Sequence, residues 1–287
     1  MNSIILHFEN GRLGNQFFQY IGLKKYFPRH KIIFLGCYKL QKVFDSIDAK
    51  FISLDKIKSL NLYNFLKLFI SMLAKMCILG EIIEDQNSSS KIIIRKGILW
   101  KVYVTKNVYF QEDNTLDQPH GLFKLKQSLS NQARNWLKEK KIIVDINNLV
   151  FVHIRRGDYL HWPSKEFPAV LDVNWYKRAI NIVSSKMNKP IFILVSDDKR
   201  YLKKFFRETD IIKISENNLE LDLYIMSLCS AGILSASSFS YMGALLAKKD
   251  KRNEDNKYFL APKYWAGHKV KKWLPKNFKI KWITYID

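Results

Sequence analysis

The sequence predicts an α/β protein built from two halves of alternating strands and helices. Three observations predict it. Short apolar runs of strand length alternate with longer segments whose apolar residues recur at helical spacing. Several of the runs are apolar on both faces, as in a parallel sheet covered from above and below. A charged and polar stretch, Lys141–Asn148, separates a long helix from a new apolar strand, which places a boundary there and gives domains 1–145 and 146–287.

In chain order, Ser3–Phe8 reads as the first strand. It has neither the basic start nor the cleavage site of a signal peptide, so none is expected. Gly11–Tyr20 turns through two glycines into a helix with Phe17, Tyr20 and Ile21 on one side, and Lys31–Gly36 is the next strand. Leu60–Ile83 is apolar but carries Lys67, Lys75, Asn61 and Asn64. Two lysines at bilayer depth would each cost about 2.5–3.5 kcal/mol, which argues against a membrane span. An ordinary buried helix is expected there, with a helix lying on a membrane surface as the alternative.

Leu122, Leu125, Leu129, Ala133 and Trp136 mark a helix that runs to about Lys140. Leu149–Ile154 is a strand. Trp175, Ala179, Ile182 and Val183 mark a second helix, with Asp172 or Asn174 as its N-cap. Pro190–Val195 is a strand, Leu219, Leu223 and Met226 mark a third helix, and Gly232–Ala236 and Tyr258–Ala261 complete the strands.

Four segments could carry chemistry. Gly11–Tyr20 offers backbone N–H groups at a helix start, which can hold an anion, though ordinary tight turns look the same. In His153–Tyr159 an apolar strand delivers Arg155 and Arg156, then Gly157 and Asp158. Guanidinium groups grip phosphate bidentately and keep their charge, which suits a diphosphate leaving as an anion. A surface ion-pair cluster is the plain alternative. A third strand ends in Ser196, Asp197 and Asp198, where one aspartate can accept from a guanine edge and one can cap the next helix. Ser237, Ser238 and Ser240 open a helix, a second anion seat or simply a capped terminus.

The formal net charge is +22, and from Lys248 to Lys281 twelve basic residues face three acidic ones. Such a surface favours polyanions: nucleic acid, anionic lipid or phosphorylated substrates. No helix-turn-helix, zinc-finger or RNA-binding signature is visible, so no nucleic acid is expected. A non-catalytic basic protein on nucleic acid or an anionic membrane is nonetheless the competing class. The three cysteines, Cys37, Cys77 and Cys229, have neither disulfide-framework nor metal-ligand spacing, which fits a reduced cytoplasm.

Taken in order, the segments resemble glycosyltransferase family 11, the α-1,2-fucosyltransferases. The matching residues are Gly11–Tyr20, His153–Tyr159, Ser196–Asp198, Met226–Cys229 with Ser237–Ser240, and Ala261–Trp265. The resemblance spans nearly the whole chain. It implies a GT-B architecture, two Rossmann-like domains facing across a cleft, the first on the acceptor side and the second holding the donor. It also implies inverting, metal-independent transfer of L-fucose from GDP-β-L-fucose to the 2-hydroxyl of a galactose, without a cofactor. The acceptor would be a galactose-terminated oligosaccharide or lipid-linked glycan.

By the same analogy, Arg155 and Arg156 hold the diphosphate with His153 beside them. Asp197 or Asp198 contacts guanine or ribose, and Ser237 and Ser238 approach the β-phosphate. Asn15 and Gln16 face the cleft, and Gly14 and Phe239 complete the donor set. Asp158 is the first choice of general base and Glu166, between Pro163 and Pro168, the second. The chain departs from the family at Arg12, Ala231, Ala236, Tyr241 and Met242. These departures leave a related GDP-deoxysugar as the alternative donor. The stretch Cys37–Lys106 matches least and is expected to shape acceptor choice. The basic tail after Lys248 is expected to hold a cytoplasmic enzyme at the inner face of an anionic membrane.

Overall fold

The structure, a computed structural model, describes residues 3–52, 62–85, 91–111, 123–142, 146–249, 258–271 and 280–287. The chain divides into two compact units, Met1–Lys124 and Leu125–Asp287. The division falls earlier than the 145/146 boundary read from the sequence. The reason is packing: the helix Gln127–Glu139 lies against a helix of the second unit, Leu219–Leu228, and goes with it.

The first unit holds a six-stranded sheet of β1 (Ile4–Phe8), β2 (Lys31–Leu35), β3 (Lys50–Ile52), β4 (Leu79–Glu84), β5 (Ile92–Arg95) and β6 (Leu99–Lys106), in the order β3-β2-β1-β6-β4-β5. All neighbours are parallel except β4 and β5. Helix α1 (Leu13–Tyr26) follows β1 and buries Phe17, Phe18 and Ile21. A short α2 (Tyr38–Val43) follows β2.

Leu60–Ile83 is not one buried helix. Residues 60 and 61 lie outside the described residues, α3 spans Leu62–Lys75, and Leu79–Glu84 is strand β4. Cys77 adopts a left-handed backbone and the Ile78 N–H reaches back to the Leu73 carbonyl, which ends the helix. Only Ala74 of α3 is buried.

The second unit carries α4 (Gln127–Glu139), β7 (Leu149–Ile154), α5 (Val173–Ser184), β8 (Ile191–Ser196), α6 (Lys199–Phe205), β9 (Ile212–Ile214), α7 (Leu219–Leu228), β10 (Ala231–Ile233), α8 (Ser238–Lys249), β11 (Phe259–Pro262) and β12 (Thr284–Ile286). Its sheet is wholly parallel, in the order β12-β11-β10-β7-β8-β9. The strand order reverses between β7 and β10. In doubly wound folds that reversal opens a crevice at the carboxyl ends of the strands, where ligands bind. Every residue of β7 and β8 is buried, as the apolar runs predict. Asp172, of the two capping candidates, accepts from the Asn174 N–H at 2.8 Å at the start of α5.

Gly232 is required for space. It pairs with Phe151 on one side and Phe259 on the other, and a Cβ there would lie 2.3 Å from the Phe151 ring. Gly232→Val is therefore expected to destabilise the second unit by about 3 kcal/mol, the upper range for overpacking. Urea denaturation followed by circular dichroism measures it. A midpoint within error of the unsubstituted chain would show that the ring can move aside.

Candidate active site

The second unit gathers the predicted residues at the ends of β7, β8 and β10. Strand β7 is apolar until His153, and its chain then emerges as Arg155 and Arg156. Asp197, just past β8, holds both. Its Oδ1 accepts from the Arg156 backbone N–H at 2.8 Å, and its Oδ2 bonds Arg155 Nη1. Arg155 Nη2 bonds Asp158, so one guanidinium bridges two carboxylates. Gly157 has φ +32°, and a Cβ there would lie 2.6 Å from Asp197 Oδ2, so glycine lets the loop close over this carboxylate.

Arg156 is gripped differently. Its guanidinium lies over the Tyr201 ring at 3.6 Å, a cation–π contact, and its Nε is 3.4 Å from Asp198 Oδ2. That Nε is buried without a hydrogen-bond acceptor. Asp198 also caps α6, accepting from the Tyr201 N–H at 3.0 Å. The two aspartates therefore divide the work: Asp197 orders the arginines, while Asp198 caps the helix and faces Arg156.

His153 is buried beneath the arginines. Its Nδ1 is 2.7 Å from Ser235 Oγ and 2.5 Å from Ser240 Oγ, and its ring is 5.3 Å from Phe239. Burial, then Arg155 and Lys199, lower its pKa to about 3, so it is a neutral imidazole at physiological pH. Ser237 is buried, with its N–H on the Ser235 carbonyl at 2.8 Å, and Ser238 begins α8.

A cavity of about 230 Å³ opens beside this cluster, lined by Arg156, Glu166, Asp172, Tyr201, His268 and Lys269 among others. Glu166 is thus on the cavity wall, whereas Asp158 is in the ion pair with Arg155.

In the first unit, Gly14, Asn15 and Gln16 lie at the start of α1, beyond the carboxyl end of β1. Gly11 has φ +83°, and a Cβ there would meet the Asn15 side chain at 2.4 Å. Asn15 Oδ1 accepts from Gln111 Nε2 at 2.9 Å. Gln16 is fully buried and donates to Glu9 and to the Gly11 carbonyl, so its amide pins the turn from below. His7 is buried between Thr105 and Gln19, at 2.8 and 3.2 Å. Burial outweighs its bond to Gln19, and with Lys67 nearby its pKa falls to about 4.

Among the described residues, each unit therefore carries a buried neutral histidine, and the acid response of the two has a definite sign. An unfolded histidine takes up a proton near pH 6.5, whereas these take it up only near pH 4 and pH 3. The unfolded state binds more protons in that window, so stability present above pH 6.5 is lost as pH falls. From about pH 7.5 to about pH 5 each histidine should cost its unit about 2 kcal/mol. The loss should flatten below about pH 4 for the first unit and about pH 3 for the second. Urea midpoints across that range check it, and His7→Gln and His153→Gln should each remove their share of the slope. A slope unaltered in both variants would place the acid response elsewhere.

Sequence reasoning missed Ser235, which sits inside an apolar run, and Tyr201, whose ring covers a guanidinium from the next helix. The departures at Ala236, Tyr241 and Met242 are all buried, and Tyr241 packs on Trp265 at 5.5 Å.

Residues 8–286 match the profile of the family described as Glycosyl transferase family 11. The chain is similar to the O-antigen biosynthesis glycosyltransferase WbnK of Escherichia coli, at 28% identity over 174 residues, 57% of this chain and 56% of that protein. The match thus spans little more than half of that relative. It is also similar to an alpha-1,2-colitosyltransferase of Escherichia coli, at 27% over 284 residues, 92% of each. Among solved structures it is similar to the fucosyltransferase NodZ from Bradyrhizobium, with TM-score 0.52 and 13% identity over 86% of this chain and 93% of that one. It is likewise similar to POFUT1 in complex with GDP, with TM-score 0.51 and 12% identity over 90% and 98%. At these identities the likeness is one of fold, and the two Rossmann-like units are of the GT-B type.

Proposed function

The chain belongs to glycosyl transferase family 11, and from that premise we propose that it transfers a 6-deoxyhexose, L-fucose first, from a GDP-linked donor to the 2-hydroxyl of a galactose in a surface glycan. The observation that carries the reading is the arginine pair at the switch point of the second sheet. Arg155 is aimed by two carboxylates, and Arg156 keeps a buried Nε without a hydrogen-bond acceptor. Two fixed guanidinium groups suit the charge that develops on a departing diphosphate.

In the proposed reaction the acceptor hydroxyl attacks the anomeric carbon from the face opposite the phosphate. The new glycosidic bond forms as the carbon–phosphate oxygen bond breaks, and GDP leaves with the bonding pair. Inversion turns a β-linked donor into an α-linked product. The acceptor proton goes to a carboxylate, for which we favour Glu166 over Asp158. What supports this order is the ion pair that engages Asp158 and the position of Glu166 on the cavity wall. It differs from the order suggested by the sequence, which rested on adjacency to the arginines and on the place of Asp158 in the same motif. The arginines carry the leaving group in this reading, so no metal is required of the site.

A second donor has a specific observation behind it: the alpha-1,2-colitosyltransferase matches over nearly the whole chain. Colitose is fucose without its 3-hydroxyl, so the two donors differ by one polar contact. Incubation with GDP-fucose and with GDP-colitose, each against a panel of β-galactosides, separates them, and NMR of the product locates the linkage. GDP release with neither donor, in the presence of every galactoside tried, would falsify the proposal.

A further inference from the structure

One face of α3 is apolar and uncovered. Tyr63, Leu66, Ile70 and Leu73 pack it onto the core formed with Phe8, Leu35, Leu79 and Val104. At about 100° per residue, Phe65, Leu68, Phe69, Met72 and Met76 fall on a neighbouring arc roughly 100° wide. All five are exposed, Leu68 at 71% and Phe65 at 63%. Phe65 and Phe69 stack with centroids 6.3 Å apart.

The stripe continues past the helix end. The N–H groups of Ile98 and Leu99 bond the carbonyls of Cys77 and Ile78, which brings the start of β6 alongside. Val102 and Val104 of β6 pack on the α3 side. Trp100 stands two residues before Val102, in the stretch of β6 where the register with β4 shifts. It is 63% exposed, and Lys101 Nζ sits 4.2 Å from its ring centroid.

The charge around the stripe has one sign. Helix α3 contains no carboxylate and carries Lys67 and Lys75, and Lys96 and Lys101 flank Trp100 in sequence. Glu81 and Glu84 are buried, the first paired with Arg95 and the second accepting from the N–H groups of Tyr109 and Phe110. A second copy of a chain with net charge +22 would bring lysines against lysines across such a face. An anionic lipid surface complements both its apolar and its cationic parts.

We propose that this face docks on an anionic bilayer, with α3 lying in the interfacial plane. Phe65, Leu68, Phe69, Met72 and Met76 enter the boundary between headgroups and acyl chains, Trp100 sits at headgroup depth, and Lys75 and Lys101 reach lipid phosphates. Among the described residues no helix is long and apolar enough to cross a membrane, so the contact is peripheral. The sequence offers two membrane contacts, a helix within Leu60–Ile83 lying on the surface and the basic tail after Lys248, of which residues 250–257 and 272–279 lie outside the described residues. The exposed stripe supports the first of them, and this does not depend on which sugar is transferred.

The test uses the full chain and vesicles of phosphatidylcholine with or without phosphatidylglycerol. The expected result is sedimentation with the phosphatidylglycerol vesicles, weakened by salt, and a blue shift of tryptophan emission that Trp100→Phe diminishes. F65Q/F69Q/M72Q should lower binding about tenfold or more, with its thermal melt and its GDP affinity, which belongs to the other unit, unchanged. Lys75→Glu with Lys101→Glu should abolish the preference for phosphatidylglycerol. Failure of the unsubstituted chain to bind either vesicle overturns the proposal, as does equal binding by the triple variant. A dimer in sedimentation velocity that the triple variant abolishes, with no vesicle binding, would instead assign the face to a second copy.

Discussion

Arg155→Ala is expected to lower turnover by about 10³-fold and to weaken GDP binding strongly, the scale seen when one preorganised donor to a developing anion is lost. Arg155 is nearly buried, with 11% of its side chain exposed, and two carboxylates fix its plane. Ordering it at the moment of reaction therefore costs little. Arg155→Lys should fare almost as badly, because a single ammonium cannot span Asp158 and Asp197 while presenting a fork to phosphate. Calorimetric titration with GDP and steady-state turnover measure the two effects. Thermal melting of the same variants guards against a folding defect, since removal of the guanidinium leaves Asp197 Oδ2, beside Gly157, without its ion-pair partner. Turnover within about tenfold of the unsubstituted chain, at unchanged GDP affinity, would reduce Arg155 to a surface ion pair.

The second large effect separates Glu166 from Asp158. Glu166→Gln should cut kcat by about 10²–10⁴-fold, the usual range for a missing general base, and leave GDP affinity intact. Asp158→Asn should behave otherwise. It removes one of two anchors of Arg155, so GDP affinity and turnover should fall together. The comparison of binding with turnover carries the distinction. If Asp158→Asn keeps GDP bound yet loses turnover, while Glu166→Gln stays active, Asp158 is the base.

The legible parts of this fold were those with an abrupt change of character. Strands β7 and β8 are apolar but for His153 and Ser196 and give way to charged residues, so their extent, to within one residue, and the exit of Arg155, Arg156 and Asp197 could be read directly. Strand β6 could not, because Lys101 and the exposed Trp100 break its apolar pattern. Helix α3 ran into β4 without a proline or glycine between them. The break is made by the backbone of Cys77, which composition does not announce. The site followed the same rule. The arginines and aspartates were visible because they follow strands, whereas Ser235 and Tyr201 matter through neighbours far away in sequence. Gln16 was expected at a ligand and is instead enclosed, holding the turn at Gly11.

The salt-bridged arginines also bear on how the product departs. Two guanidinium groups stand with three carboxylates, Asp158, Asp197 and Asp198. Before any ligand arrives the cluster is not a surplus of positive charge but a deficit of one unit. In the proposed reaction a nucleoside diphosphate entering it would displace partners as well as gain them, and those partners would stand ready to take the arginines back. Residence time of the product would thereby be shortened at the step after bond breaking. An enzyme that must part from a polyanion once per cycle is better served by cations already spoken for than by bare ones.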